Sequence, residues 1–221
     1  IYYVSIPNAL EPARKIRPDA KWLPNPVDIN TFYPRKKIQL EGEPAIFYPT
    51  RLHSIKNPRF AFEIFEDIVK EYPKARLHVI KYPSWANPAS TNFAGLVNRL
   101  KEKIVMHDFM TKDQLAGFYS SSDLIMGSFF PEKYYANLNL IELEAMACKG
   151  PVGANDQYEI IRKPLPELKG LAMKIVSDSS FARKYINTNY KYVLKAHSPE
   201  MVWKENKNNI KKTNCGATSD G

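Results

Sequence analysis

From residue 45 onward, short apolar runs alternate with amphipathic stretches. The runs at 45–50, 76–80, 104–109, 123–129 and 151–154 have strand length. Helical spacing fills the intervals, over 58–72, 91–101, 112–121 and 140–149. In the first of these, Ala61, Ile64, Phe65 and Ile68 make one apolar stripe, with Asn57 as N-cap and Pro58 at the first helical position. Strand–helix repetition predicts an α/β, Rossmann-like parallel sheet flanked by helices. Such sheets bind ligands at the carboxyl ends of their strands. The last third changes character: 166–178, 180–197 and 199–212 read as helices with no strand between them. Residues 213–221 are small and polar and are expected to form a disordered tail. The opening Ile1–Ile6 segment reads as a strand, because it lacks the basic flank and small-residue cleavage site of a signal peptide.

The helix over 140–149 holds the most informative position. Asn139 and Glu142 make a capping-box-like start. At about 100° per residue, Leu140, Leu143, Ala147 and Cys148 share an apolar face. Glu142 and Lys149 fall on the opposite side, expected to be solvated, whereas Glu144 lands inside the apolar arc. An inward polar group without a partner costs roughly 2–7 kcal/mol, so Glu144 requires a donor. An internal arginine, a backbone N–H and the hydroxyls of a diol such as ribose all satisfy that need. The helix N-terminus at 137–139 offers free N–H groups to a phosphate. Arg51 and Lys56, five apart directly after the first strand of the alternation, have the charge to neutralise a diphosphate. A solvated surface loop carrying the same pair is the plainer alternative.

Composition narrows the field less. The chain has 221 residues, 44% hydrophobic and 25% charged, as an ordinary globular domain does. Its formal charge of +9 suits nucleic acid, an anionic membrane surface or a phosphorylated small molecule equally. Part of the excess lies near the C-terminus, at Lys204, Lys207, Lys211 and Lys212, and no basic stretch carries the signature of a nucleic-acid module. No apolar run approaches the roughly 20 residues of a membrane span. Cys148 and Cys215 form no disulfide framework, so a reducing, cytoplasmic setting is expected. His53, His78, His107 and His197 are scattered, and no metal site is expected.

Four blocks resemble the C-terminal domain of retaining GT-B glycosyltransferases of the glycogen synthase and mannosyltransferase type. The first is Leu23-Pro24-Asn25-Pro26-Val27-Asp28 with Phe32 and Pro34 beyond it, similar to the family's linker motif but with Pro26 in place of glycine. The second is Tyr48 through Lys56, similar to the Gly-Arg-Leu…Lys segment, with Thr50 replacing the glycine. The third is Val105 through Phe109, with Asp108 in a glycine's place, and the fourth is Glu144-Ala145-Met146-Ala147-Cys148, then Lys149 and Gly150-Pro151-Val152. They stand in the family's order between about residues 20 and 212.

The resemblance implies that Arg51 and Lys56 bind the diphosphate of a nucleoside-diphosphate sugar. It implies that Glu144 holds the ribose, Phe109 lies near the base, and the backbone of Asn137, Leu138 and Asn139 approaches the phosphates. Arg51, Lys56 and Glu144 become the catalytic candidates, with retention of configuration, no cofactor beyond the donor substrate and no metal. The family's second glutamate, eight positions before the first, is Ala136 here, and Glu132 lies four residues further upstream. The expected domains are 1–25 (the end of a preceding acceptor-binding domain and linker), 26–165 (nucleotide-sugar-binding), 166–212 (C-terminal helices) and the tail. The acceptor domain is expected in the same or a second polypeptide, with a glycan, lipid or protein acceptor and peripheral membrane contact both compatible. A non-catalytic nucleotide-sugar-binding module or subunit is the competing reading, and a basic surface-binding protein a third.

Overall fold

The computed structural model describes residues 2–4, 9–52, 56–82, 93–129, 140–153 and 165–216, with 165 and 209–216 as backbone only. A small parallel pair comes first: β1 (Tyr3–Val4) and β2 (Lys21–Trp22), joined through α1 (Leu10–Ile16). The sequence pattern missed α1 and β2, because neither has an apolar stripe; α1 buries no side chain.

The main sheet is wholly parallel. Its strands are β3 (Ala45–Tyr48), β4 (Arg76–Ile80), β5 (Ile104–His107), β6 (Leu124–Met126) and β7 (Val152–Gly153), in the order β5-β4-β3-β6-β7. The connecting helices are α2 (Pro58–Glu71), α3 (Ala94–Leu100), α4 (Lys112–Ser121) and α5 (Leu140–Ala147); α6 (Leu165–Ser177), α7 (Ser179–Ala196) and α8 (Pro199–Gly216) follow. Both faces of the sheet are covered, so β3 is buried at every position. Ile46 and Tyr48 pack with α2, α3 and α6, while Phe47 packs with α4 and α5 on the other face. The expected Rossmann-like architecture is therefore observed, with β4 at its expected bounds and the other four strands shorter than expected. The last helix runs to Gly216, past the expected end at 212. Residues 217–221 lie outside the described residues.

Local chemistry explains the helix boundaries. Pro58 starts α2, but Asn57 does not cap it with its side chain; it adopts the left-handed region at φ 48°. Asparagine tolerates that conformation well, so its role is the sharp turn and not the expected cap. Pro73, two residues past Glu71, bars continuation of the helix. Thr111 and Gln114 close a reciprocal capping box at the start of α4.

The linker block is tied into the domain. His197 Nδ1 donates to the Asn25 carbonyl at 2.8 Å, and Val27 N–H donates to the His197 carbonyl at 2.8 Å. Asp28 accepts the backbone N–H groups of Asn30 and Thr31 and the Thr31 hydroxyl, which holds its carboxyl below the usual range. Of the apolar residues at the start of α8, Val202 is buried and Trp203 is exposed. Two of the histidines that look scattered in sequence, His78 and His107, come together. His78 Nδ1 lies 2.8 Å from His107 Nε2, and His78 Nε2 lies 2.7 Å from the Glu41 carbonyl, which makes Nε2 the donor.

The end of α5 shows why its sequence is restrictive. Lys149 takes φ 57°, and the N–H of Gly150 donates to the Ala145 carbonyl at 2.8 Å, a Schellman-type close. The Lys149 ammonium lies 4.8 Å from the centroid of the Tyr190 ring, an attraction that offsets part of the left-handed strain. A Cβ at Gly150 would stand 2.3 Å from Ile125 Cδ1 and 2.7 Å from the Tyr119 carbonyl oxygen. Gly150→Ala is expected to lower stability by about 2–3 kcal/mol. In contrast, Gly170→Ala, with nothing near its Cβ and a helical backbone, should raise it by about 0.5–1 kcal/mol. Urea unfolding of the two variants beside wild type measures both. Burial holds both members of the His78–His107 pair below the ordinary histidine range. Below about pH 6.5 the unfolded chain then takes up protons that the folded one refuses, so stability should fall with acidification through that window. Unfolding midpoints at pH 7.5 and 5.5 test this, with His78→Phe and His107→Phe expected to reduce the difference.

Candidate functional site

After β3 the chain crosses to β4 by way of α2 on one face; after β6 it crosses to β7 by way of α5 on the other. Neighbouring strands β3 and β6 thus feed helices to opposite sides, which opens a crevice at their carboxyl ends. The segments that reach this end are Pro49–Leu52, Lys56, Lys81–Tyr82, Asp108–Phe109, Gly127–Phe129 and the first turn of α5.

Arg51 is exposed, and its guanidinium carbon lies 5.6 Å from the centroid of the Tyr82 ring. Tyr82 is pinned there by its hydroxyl, which donates to the Pro49 carbonyl at 3.2 Å. Burial raises the Tyr82 phenol, the Arg51 charge lowers it and the Glu144 charge raises it again, so one ring is flanked by both candidate residues. Lys56 is half-buried, with its backbone carbonyl accepting the Phe129 N–H at 3.2 Å across the β3–β6 boundary. Burial pulls the Lys56 ammonium below its ordinary value, while the charge of Glu142 opposes that fall.

Glu144 is partly buried and meets the Tyr119 hydroxyl at 3.5 Å, a long and weak hydrogen bond. Burial pushes its carboxyl up to about 7, against the smaller opposing effects of Tyr119 and Lys112. Among the described residues no arginine or lysine forms an ion pair with it. Of the three partners the sequence left open, an internal arginine is therefore not found among the described residues.

Glu142 departs from the reading of the sequence. The helix pattern put it on a solvated side, yet it is 1% exposed, and its Oε1 accepts the Ser128 N–H at 3.0 Å. Leu140, expected on the apolar face, is 52% exposed. The reason is packing: α5 lies between the sheet, α4 and α7, so it has no single solvated face. A run as apolar as Leu143, Ala145, Met146, Ala147 and Cys148 already signals a helix buried on most sides, and that signal was available. Tyr82 and Tyr119 were likewise missed: Tyr82 follows the predicted strand 76–80 and Tyr119 sits within the predicted helix 112–121, and neither carries a signal of its own. Phe109 follows the end of β5 and is 81% exposed, an open ring. Asn137, Leu138 and Asn139 lie outside the described residues, as do Ala136 and Glu132.

Glu144 ionises with difficulty in the folded chain, and this has a stability consequence. Its folded value of about 7 exceeds the ordinary 4.5, so the folded state holds the extra proton between those values. Its contribution is thus favourable at low pH and is lost as pH rises through about 7. Glu144→Gln is expected to stabilise the ligand-free chain by about 2–3 kcal/mol at pH 8 and to change it little at pH 4. Urea unfolding at the two pH values decides this.

No family model matches the chain. A relative, the probable sucrose-phosphate synthase of Thermosipho melanesiensis, is 26% identical over 204 residues, covering 87% of this chain and 47% of that protein. Among solved structures, sucrose-phosphate synthase from Thermosynechococcus elongatus superposes with a TM-score of 0.72 at 19% identity, over 97% of this chain and 58% of that one. The C-terminal domain of a group 1 family glycosyl transferase (LpcC) from Francisella tularensis matches with a TM-score of 0.61 at 20% identity. Here 78% of this chain accounts for 99% of that domain. HepE from Anabaena, solved in complex with UDP and glucose, matches with a TM-score of 0.69 at 12% identity, over 95% of this chain and 62% of that one. The fold is therefore that of the C-terminal, Rossmann-like half of GT-B glycosyltransferases, and the chain spans about half the length of the relative it matches.

Proposed function

We propose that this chain supplies the donor-binding half of a glycosyltransferase, which moves a sugar from a nucleoside-diphosphate sugar to an acceptor. The observation that carries the reading is Glu144: a partly buried carboxylate at the strand-end crevice, with no ion pair among the described residues, that acts on the same tyrosine as Arg51. A diol donating two hydrogen bonds would complete its shell and favour the ionised form. Arg51 and Lys56 would then face the diphosphate, and Phe109 would offer an exposed face for a base. Departure of the nucleoside diphosphate leaves negative charge on the phosphate oxygens. Fixed cations at Arg51 and Lys56 stabilise that charge without a metal ion. Retention of configuration, a partner domain for the acceptor, a cytoplasmic setting and peripheral membrane contact belong to this proposal through resemblance to the family. Among the described residues no helix is long and apolar enough to cross a membrane.

The second reading, a non-catalytic nucleotide-sugar-binding module, is favoured by Ala136, which stands where the family has its sugar-contacting glutamate. Both readings require nucleotide binding; they part on turnover. Calorimetry with nucleoside diphosphates of each base should find one that binds. Arg51→Ala should weaken it about tenfold or more, the loss of a charge-assisted hydrogen bond. Binding should also weaken as pH falls below about 7, because Glu144 must shed its proton to accept the diol. Glu144→Gln should flatten that dependence. Failure of every nucleoside diphosphate to bind at millimolar concentration would remove both readings. Binding with no transfer or donor hydrolysis, in the chain combined with its acceptor domain, would favour the module.

A further inference from the structure

We infer that Glu142 is a positioning residue for Lys56, a buried carboxylate that fixes the lysine at the crevice and keeps positive charge there for a diphosphate. The inference rests on the donor-binding reading for the diphosphate; what brings the two residues to one place is the end of β6, whose neighbouring residues bond the Glu142 side chain and the Lys56 backbone. Two consecutive residues at the end of β6 grip the pair: Ser128 N–H donates to Glu142 Oε1 at 3.0 Å, and Phe129 N–H donates to the Lys56 carbonyl at 3.2 Å. The Phe129 ring meets Phe60 of α2 edge-on, with centroids 5.1 Å apart, so the same dipeptide is also locked to the helix that Lys56 leads into. Glu142, Lys56 and the β6 end therefore form one connected unit across the switch point.

Charge balance gives the unit its purpose. Glu142 is 1% exposed, and a buried carboxylate is tolerated only beside compensating charge or dipoles. Lys56 is the cation whose ammonium its charge acts on. The other charged groups nearby are turned to different partners: Arg51 to Tyr82, and Glu144 to Tyr119 and Lys112. Burial alone drives Lys56 toward the neutral amine, which would hold no phosphate; Glu142 opposes this. Glu144 and Glu142, two residues apart on one helix, are thereby divided between two tasks.

Glu142→Gln, Lys56→Met and the double variant test the inference in the full chain. Glutamine still accepts the Ser128 N–H but carries no charge. The pH at which acetic anhydride begins to modify Lys56, read by peptide mass spectrometry, should fall by about one unit or more in Glu142→Gln. Lys56→Met should lower the melting temperature, and adding Glu142→Gln should restore it. The alkaline limb of nucleoside-diphosphate binding should move to lower pH by the same amount as the modification. An unchanged modification profile together with additive melting shifts overturns the inference. Should Glu142→Gln alone not fold, the double variant must fold, and its failure also overturns the idea. Should wild type bind no nucleotide, the donor-binding reading falls, while modification and melting still decide whether Glu142 serves Lys56.

Discussion

Two carboxylates withdrawn from water at one end of a parallel sheet set the terms for the rest of this structure. Glu142 and Glu144 belong to a helix too apolar to face solvent, so each must find compensation where the strands end. Glu142 meets a backbone N–H and the field of Lys56. Glu144 meets one distant phenol and is left reluctant to ionise. That difference separates a residue satisfied within the fold from one whose satisfaction is incomplete. Incomplete satisfaction at the mouth of an α/β sheet is what a ligand can relieve, which is why Glu144 carries the functional reading.

The sheet was legible because its signal is coarse and repeated. Five apolar runs with amphipathic stretches between them leave few alternatives to a parallel α/β layer, and strands buried on both faces need no alternation. The strap α1–β2 was not legible, since it rests on backbone pairing with β1 and not on an apolar stripe. Of the candidate residues, Arg51 and Glu144 both act on Tyr82, while the neighbour of Lys56 is Glu142, as their positions after β3 and on α5 allow. Phe109 follows β5 as an exposed ring. Glu142 was misread because a helical wheel assumes one wet side, and the wheel cannot see that the end of β6 lies against this residue.

The three replacements of family glycines among the described residues, Pro26, Thr50 and Asp108, share one backbone property. Among the described non-glycine residues only Asn57 and Lys149 have positive φ. Pro26, Thr50 and Asp108 therefore occupy backbone that any residue adopts, and at these places the chain does not require glycine. Thr50 is 2% exposed, so its side chain fills space beside β3 that a glycine would leave open. Lys149 is different: it takes the left-handed conformation a glycine would take freely, and its ammonium reaches Tyr190 of α7. The adjacent Gly150 has no such latitude, with Ile125 and the Tyr119 carbonyl already against it.

Rigidity at this end follows from the same contacts. Phe129 and Ser128 tie β6 to both flanking helices, Tyr82 ties β4 back to β3, and the linker block is held by His197 at the α7–α8 corner. Each of these bonds runs between segments far apart in sequence, so none is visible as a local motif. Together they hold Lys56 and Tyr82 by their own hydrogen bonds, and leave the Glu144 carboxylate and the Arg51 guanidinium as the groups with most to gain from a ligand. A site built this way spends little on reorganisation when charge arrives, because its cations are positioned by the fold and not by the substrate. Its selectivity must then come from shape around the base and sugar. On the proposed donor-binding reading neither Arg51 nor Glu144 would read those parts: one would recognise phosphate charge and the other a diol, which nucleotide sugars have in common.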